Sequence, residues 1–188
     1  MISLAKLFAL QLRVMTWARG GFYRMFIIAC GGECGKGLRV DKGLSWKYPP
    51  HPGIRFGEHV ILGRDIIVDV PPEGRLQLGD HVKFTGFSVI AANHEVRIGD
   101  HTLIGEMVSI RDADHEVRAG CWIRLQGLVS TSVFIGQDVW LGRGVTVLRG
   151  AHVGDGAVIA ANALVRNEQV LAGSISVGSP LRHVKFRG

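Results

Sequence analysis

The 188-residue chain has little of several residue types that mark specialised classes of protein. Its three cysteines, Cys30, Cys34 and Cys121, are an odd and sparse set. They argue against a disulfide scaffold and favour a reducing compartment, so we expect a cytoplasmic location. Prolines number six and glycines do not recur at every third position, which excludes collagen-like and linker-like chains. With 7% aromatic and 20% charged residues, the composition disfavours disorder, coiled coils and helical bundles.

No uninterrupted apolar run of about 20 residues is present. Lys6, Arg13, Arg19 and Arg24 interrupt the apolar segment 1–29, which we expect to be helical. Two interpretations of it stay open: a cap packed on the rest of the protein, or a helix lying on an anionic membrane surface, at the inner face of the membrane. The net charge of +6 favours an anionic partner without naming it. Nucleic-acid binding has no support beyond this charge, and we expect none.

What the sequence does have is a repeat of six residues. From Ile135 onward an aliphatic residue occupies every sixth position, and the register extends backwards with gaps. A period of six is neither that of a helix nor that of a simple strand, and it predicts short strands joined by sharp corners and stacked coil upon coil. The predicted inward positions are Phe56, Leu62, Val68, Leu78, Phe84, Ile90, Ile98, Ile104, Ile110, Ile135, Leu141, Val147, Val153, Ile159, Val165, Leu171 and Val177.

Three interruptions of the repeat follow blocks of three hexads. Extra residues come after Glu73, after Glu95 and after His115. If three hexads make one triangular coil, all three insertions leave from the same edge of the prism. Insertions gathered on one side of a repeat array commonly mark its binding surface.

Three stretches carry a family resemblance: Ile110-Arg-Asp-Ala-Asp-His115-Glu116, Val139-Trp-Leu-Gly-Arg-Gly-Val145 and Gly178-Ser-Pro180. With the repeat, they make the chain similar to the hexapeptide-repeat acyltransferases, in particular the sugar O-acetyltransferases of polysaccharide and lipopolysaccharide assembly. The resemblance implies an all-β fold, a left-handed parallel β-helix over 30–187 after a short helical segment 1–29, with one extended loop at 116–134. The left hand comes from the family, since it departs from the usual right-handed crossover.

His115 is the candidate general base for such an enzyme. A sugar hydroxyl is a poor nucleophile at neutral pH, and imidazole is the side chain best suited to take its proton. A carboxylate partner would fix the tautomer of the ring; Glu116 is the first choice by resemblance, and Asp112 is the second. His94, in a similar Asn-His-Glu-Val sequence, and His152, expected to stack near His115, are weaker candidates.

The resemblance also implies a donor and an assembly. The donor is acetyl coenzyme A, the acceptor is a saccharide, and the protein is a homotrimer with sites between subunits. The resemblance assigns Trp140 to the lining of the site, and we expect small residues to receive the pantetheine arm and bases to receive the phosphates: Gly142, Ala160, Ala161, Arg166, Arg182 and Lys185. The sequence departs from the family pattern in one stretch. It has Arg166-Asn-Glu-Gln-Val-Leu171 where relatives often have Thr-Lys-Asp-Val-Pro-Pro.

Four other functions are known for chains with such repeats or folds, and the sequence bears on each. A γ-type carbonic anhydrase needs two histidine ligands five residues apart, a spacing absent here, so we expect no metal. An ice-binding β-helix needs a flat threonine-rich face, which the hexads do not offer. A serine acetyltransferase would carry a long helical domain before its repeats. An N-acetyltransferase acting on an amino sugar nucleotide stays open as the alternative function.

Overall fold

The computed structural model describes residues 3–188 except the side chain of Ala9, so residues 1 and 2 of the predicted helical segment lie outside it. The chain begins with one helix, α1 (Leu4–Ala29). Short parallel strands then wind through three sheets in rotation, which form the three faces of a prism. The third face has six strands, and there are therefore six complete coils followed by a partial seventh.

The strands of each face lie one coil apart. The first face contains Glu33–Cys34, Ile54–Phe56, Arg75–Leu78, Glu95–Ile98, Val133–Ile135, His152–Val153 and Gln169–Val170. The second contains Arg39–Val40, Ile61–Arg64, Lys83–Gly86, Leu103–Ile104, Trp140–Leu141, Val158–Ile159, Ser174–Val177 and the antiparallel strand Arg182–Phe186. The third contains Ser45–Trp46, Ile67–Asp69, Val89–Ala91, Ser109–Arg111, Thr146–Val147 and Leu164–Val165.

The hexad positions form the core of the prism. From Phe56 to Val165 every predicted inward residue is at most 4% exposed. Glycines that follow them permit close stacking of the corners: a Cβ on Gly99 would lie 2.6 Å from the backbone nitrogen of Gln137 in the next coil. The periodicity therefore predicted the core of the second to sixth coils correctly.

The last two hexads were predicted wrongly. Leu171 is 57% exposed, and Val170 is buried in its place. Because the corner 166–168 is short, the inward Val170 follows the inward Val165 by five positions instead of six, and the register moves by one residue. Val177 is half-buried.

Successive coils also align at the edge between the first and second faces. His59, His81 and His101 occupy equivalent corners with positive φ values of 56 to 58°. Their rings stack with centroid separations of 5.0 and 4.8 Å, about one strand spacing. These three stacked histidines show that coils of different length share one register at this edge.

All three insertions leave from the edge where the third face meets the first face of the next coil, here called the third edge. The longest one, residues 112–132, is called the arm. It differs from the predicted loop 116–134: Ala113–His115 pairs antiparallel with Leu128–Ser130, a 3-10 turn spans Ile123–Leu125, and the coil resumes at Val133. The arm is therefore a hairpin with a short connecting excursion.

Helix α1 packs on the first coil through its C-terminal part. Ile27 is fully buried, and Tyr23 packs against the core. The expected cap is therefore present. Within residues 3–188, no helix combines the length and hydropathy required to cross a bilayer.

Candidate active site

His115 ends the first strand of the arm hairpin, opposite Leu128. Its side chain is exposed, and within the described residues no hydrogen bond engages the ring. The chain leaves the coil at Asp112, immediately before the strand Ala113–His115. The hairpin therefore extends beyond the third edge. An imidazole in this position is available to a substrate.

Two cavities meet at His115. One, of about 290 Å³, lies over the third face and is lined by Lys47, Tyr48, Asp69, Ala91, Asn93, Arg111, Ala113, His115 and Leu128. The other, of about 410 Å³, lies along the arm and is lined by Asp114, His115, Glu116, Val117, Arg118, Val129 and Arg149. Of the described residues, His115 is the one that lines both cavities, so a group held in either cavity lies beside it.

The predicted carboxylate partners of His115 are engaged elsewhere. Glu116 forms an ion pair with Arg118 at 2.9 Å. Asp112 is fully buried, and its carboxylate accepts hydrogen bonds from the backbone nitrogens of Asn93, His94 and Glu95 at 2.8, 2.7 and 2.6 Å. Within residues 3–188 of one chain, neither carboxylate bonds to His115, and a catalytic role for either stays a prediction.

Asp112 instead fixes the base of the arm. Its charge is satisfied by three N–H donors of the preceding coil, which is a strong arrangement for a buried carboxylate. Its backbone oxygen also accepts from Thr131 at 2.9 Å, where the arm returns. Sequence reasoning missed this role because the three partners lie 17 to 19 residues earlier, across a corner.

Basic side chains that no sequence motif marks surround the site. Lys47 donates to Asp69 at 2.9 Å; this hydrogen bond, together with the Asp69 charge, raises the pKa of the lysine, which keeps it cationic. Arg111 lines the same cavity, and Arg149 bonds to Asp114 at 2.7 Å beside the other. Lys47 and Asp69 lie where two strands of the third face end, at the third edge, so the clustering of insertions at that edge was the available signal.

The residues predicted to bind the donor lie elsewhere on the prism. Gly142 closes against the backbone of Ala160 and Ala161 in the next coil, at the edge between the second and third faces, here called the second edge. Trp140, which the resemblance assigns to the lining of the site, lies in a strand of the second face and is 54% exposed. Arg182 and Lys185 extend from the final strand on the same face, while Arg166 is at the third edge.

The two weaker histidine candidates, His152 and His94, do not join His115. His152 lies in a strand of the first face, opposite Phe134, with ring centroids 5.8 Å apart. The expectation that it stacks near His115 was therefore wrong, because the coil resumes on the first face only after the arm has returned. His94 is exposed in the turn held by Asp112. A wider groove of about 700 Å³ along the first face includes His152 and not His115.

Within residues 3–188, no cluster of three histidine, cysteine, aspartate or glutamate side chains is suited to hold a metal ion.

Comparison with known proteins shows which protein family this chain resembles. The model for "Bacterial transferase hexapeptide (six repeats)" matches residues 132–167, which include Gly142, Ala160 and Ala161. WbbJ of Escherichia coli, assigned to lipopolysaccharide biosynthesis as an O-acetyl transferase, is 34% identical over 140 residues, 70% of this chain and 71% of WbbJ. The chain belongs to the hexapeptide-repeat acyltransferase family.

Two further similarities agree with this membership. An acetyltransferase assigned in Mycobacterium tuberculosis is 38% identical over 116 residues, 61% of this chain, and the match spans 38% of that protein's length. The N-acyltransferase AntD of Bacillus cereus, solved with dTDP and coenzyme A, has a TM-score of 0.71 at 18% identity, covering 86% of this chain and 87% of AntD. The fold is thus the left-handed parallel β-helix of this family.

Proposed function

We propose that this protein transfers an acetyl group from acetyl coenzyme A to a sugar hydroxyl during assembly of a cell-surface polysaccharide or lipopolysaccharide. The observation that carries the proposal is the exposed His115 ring between two cavities at the edge from which every insertion leaves. The similarity to WbbJ supports O-acetylation and the substrate class. The unpaired state of Cys30, Cys34 and Cys121 supports a cytoplasmic location.

In this reaction His115 acts as general base. A ring nitrogen takes the proton of the acceptor hydroxyl while its oxygen attacks the thioester carbonyl carbon. The C–S bond then breaks, and the imidazolium returns its proton to the departing sulfur. The products are an acetyl ester and free coenzyme A thiol.

The acceptor fits the cavity over the third face. Its volume of about 290 Å³ is at the small end of the range for ligand pockets. Lys47, Tyr48, Asp69, Asn93 and Arg111 give it hydrogen-bonding groups of both kinds, which a polyhydroxylated ring requires. A sugar there presents a hydroxyl to His115.

The placement of the donor residues supports a site shared between chains. Gly142, Ala160 and Ala161 lie at the second edge, whereas His115 extends from the third. One face of the prism separates these edges, and we infer that a thioester bound along the second edge does not reach His115 of its own chain. Parallel association about a threefold axis brings the second edge of one chain to the arm of the next and gives three equivalent sites.

The experiment is a coenzyme A release assay with acetyl coenzyme A and a panel of saccharide acceptors, with the product identified by mass spectrometry. His115→Ala should lower kcat by roughly 10² to 10⁴. His94→Ala is the matched control, since His94 is also exposed and is also followed by Glu-Val, and it should leave kcat within about threefold. Amino sugar nucleotides belong in the panel. Preferential acetylation of an amine would show that the protein is an N-acetyltransferase and not an O-acetyltransferase. Activity of His115→Ala equal to that of His94→Ala would overturn the assignment of the base.

A further inference from the structure

Helix α1 has one side that faces the protein and a second side that faces outward. The protein-facing side has Gly20, Tyr23, Arg24 and Ile27, which follow the helical spacing of three, four and seven residues. A Cβ on Gly20 would collide with the backbone oxygen of Leu38. Arg24 donates to the backbone oxygen of Gly35 at 3.0 Å, and Ile27 is fully buried. The orientation of the helix is therefore fixed by close contacts.

The outward side is apolar along the length of the helix. Leu4, Phe8, Met15, Phe22 and Met25 lie about half a turn away from Gly20 and Ile27, at 3.6 residues per turn. Their exposed fractions are 86, 62, 43, 65 and 71%. Leu7, Val14 and Phe26 flank them and are also exposed. This set of eight side chains is called the outer stripe.

Globular helices normally bury such a stripe against their own core. Here α1 buries a narrow side with one glycine and one isoleucine, and it leaves the wider apolar side uncovered by the chain. Contiguous exposed apolar surface of this extent marks an interaction site. The contacts on the coil, from Trp17 to Ile27, hold the helix so that the stripe stays outward.

The charges of α1 identify the chemistry of the partner. Residues 3–32 include Lys6, Arg13, Arg19 and Arg24 and no aspartate or glutamate. Arg19 and Arg24 bind Asp41 and the backbone of Gly35, whereas within the described residues Lys6 and Arg13 have no ion-pair partner. An apolar stripe with unneutralised bases on the rest of the helix is complementary to anionic phospholipid, with long basic side chains at the level of the headgroups.

We propose that α1 lies on an anionic bilayer surface with its outer stripe in the acyl boundary, and that the prism stands on the membrane through this helix. Both interpretations of this segment then hold for the same helix: one side packs on the prism as a cap, and the other side contacts the membrane. A second copy of α1 is a poorer partner, because residues 3–32 contain no aspartate or glutamate that could pair with Lys6 and Arg13. The inference does not depend on the acetyl-transfer activity.

The test is sedimentation of the full-length protein with vesicles. One set contains phosphatidylcholine alone, and the other contains equal parts of phosphatidylcholine and phosphatidylglycerol. We expect binding to the anionic vesicles at low salt, weaker binding to the neutral ones, and weakening at 1 M salt, where charges are screened beyond about 3 Å. Phe8→Gln with Phe22→Gln should lower the partition coefficient by on the order of 10-fold or more, since each ring contributes its own burial.

Matched controls separate the stripe from general surface hydrophobicity. Leu171→Gln with Val184→Gln removes two side chains that are each 57% exposed at the opposite end of the prism, and it should leave binding within about twofold. Lys6→Gln with Arg13→Gln should reduce binding to anionic vesicles and leave binding to neutral ones unchanged. The proposal is overturned if the wild-type protein binds neither vesicle at low salt, or if the stripe variant binds as tightly as the control. It is also overturned if the stripe variant changes only the oligomeric mass in light scattering, which would assign the stripe to a second copy.

Discussion

Arg149 donates through Nε to Oδ2 of Asp114 at 2.7 Å and thereby ties the strand of His115 to the following coil. Both side chains are partly exposed, at 35 and 42%, so the pair contributes little to global stability. Its effect is local, because Asp114 immediately precedes His115 and most of the arm beyond it is exposed. Arg149 is a positioning residue for the candidate base.

Replacing this arginine should therefore affect turnover more than folding. We expect Arg149→Met to lower kcat by roughly 10- to 100-fold, since small displacements of a catalytic group are costly, with KM for acetyl coenzyme A nearly unchanged. Arg64→Met, which breaks an exposed pair with Asp65 far from the arm, is the control for loss of one surface charge. If the fall in kcat is accompanied by a clear fall in the melting temperature that Arg64→Met does not show, Arg149 is only structural.

Asp112 should behave in the opposite way. Asp112→Asn places an amide against three backbone N–H donors in a fully buried position, and we expect a loss of about 2–3 kcal/mol in the free energy of unfolding, measured with urea. Asp138→Asn removes an exposed pair with Arg187 and should cost less than about 1 kcal/mol. Unchanged stability together with lost activity would return Asp112 to a direct catalytic role.

The core could be predicted from the sequence because it depends on one period. Each inward residue is repeated at a fixed spacing, and the stacking of coils converts that spacing into burial, as for Ile98, Ile135 and Val153 on the first face. The inward assignment failed at Leu171 because the preceding corner is one residue shorter, and the amino-acid composition of a corner does not reveal its length. The hairpin of the arm was missed for a similar reason, since Leu128–Ser130 resembles the hexads that follow it.

The site could be predicted only in part. His115 was identified from its place at the end of a block of hexads. The cavity around it depends on corners of three earlier coils, which bring Lys47, Asp69 and Asn93 to one edge. Such contacts join residues far apart in the chain, and a single sequence has no local pattern that records them.

The cysteines give a prediction about reactivity. Burial raises the pKa of the Cys34 thiol from 9.0 to about 11, with Arg24 opposing the rise, whereas Cys121 is exposed. At pH 8 about one Cys34 thiol in a thousand is ionised, so a thiolate-selective reagent should label Cys121 and spare Cys34 until denaturant is added. Peptide mapping by mass spectrometry checks this, and equal labelling rates of the two in the native protein would contradict the burial of Cys34.

The same shift has a consequence for stability. Because burial favours the neutral thiol, its contribution is fully present below the ordinary thiol pKa of 9.0 and is lost as the pH rises towards 11. Cys34→Ala should therefore flatten the alkaline decline of the free energy of unfolding between these two pH values. A decline as steep as that of the wild type would assign it to other groups.

In the proposed shared site, His115 of one chain acts on a donor held by the second edge of the next. Mixed trimers test it most directly: His115→Ala chains lack the base, and Ala161→Trp chains, altered at an exposed position, have the donor groove blocked. After equal amounts of the two inactive proteins are unfolded and refolded together, random assembly should give about one quarter of the wild-type sites, each with an intact base and an intact groove from different chains. Recovery of about one quarter of the wild-type activity is the predicted result. Activity no higher than that of either variant alone, in trimers shown to contain both chains, would contradict the shared site.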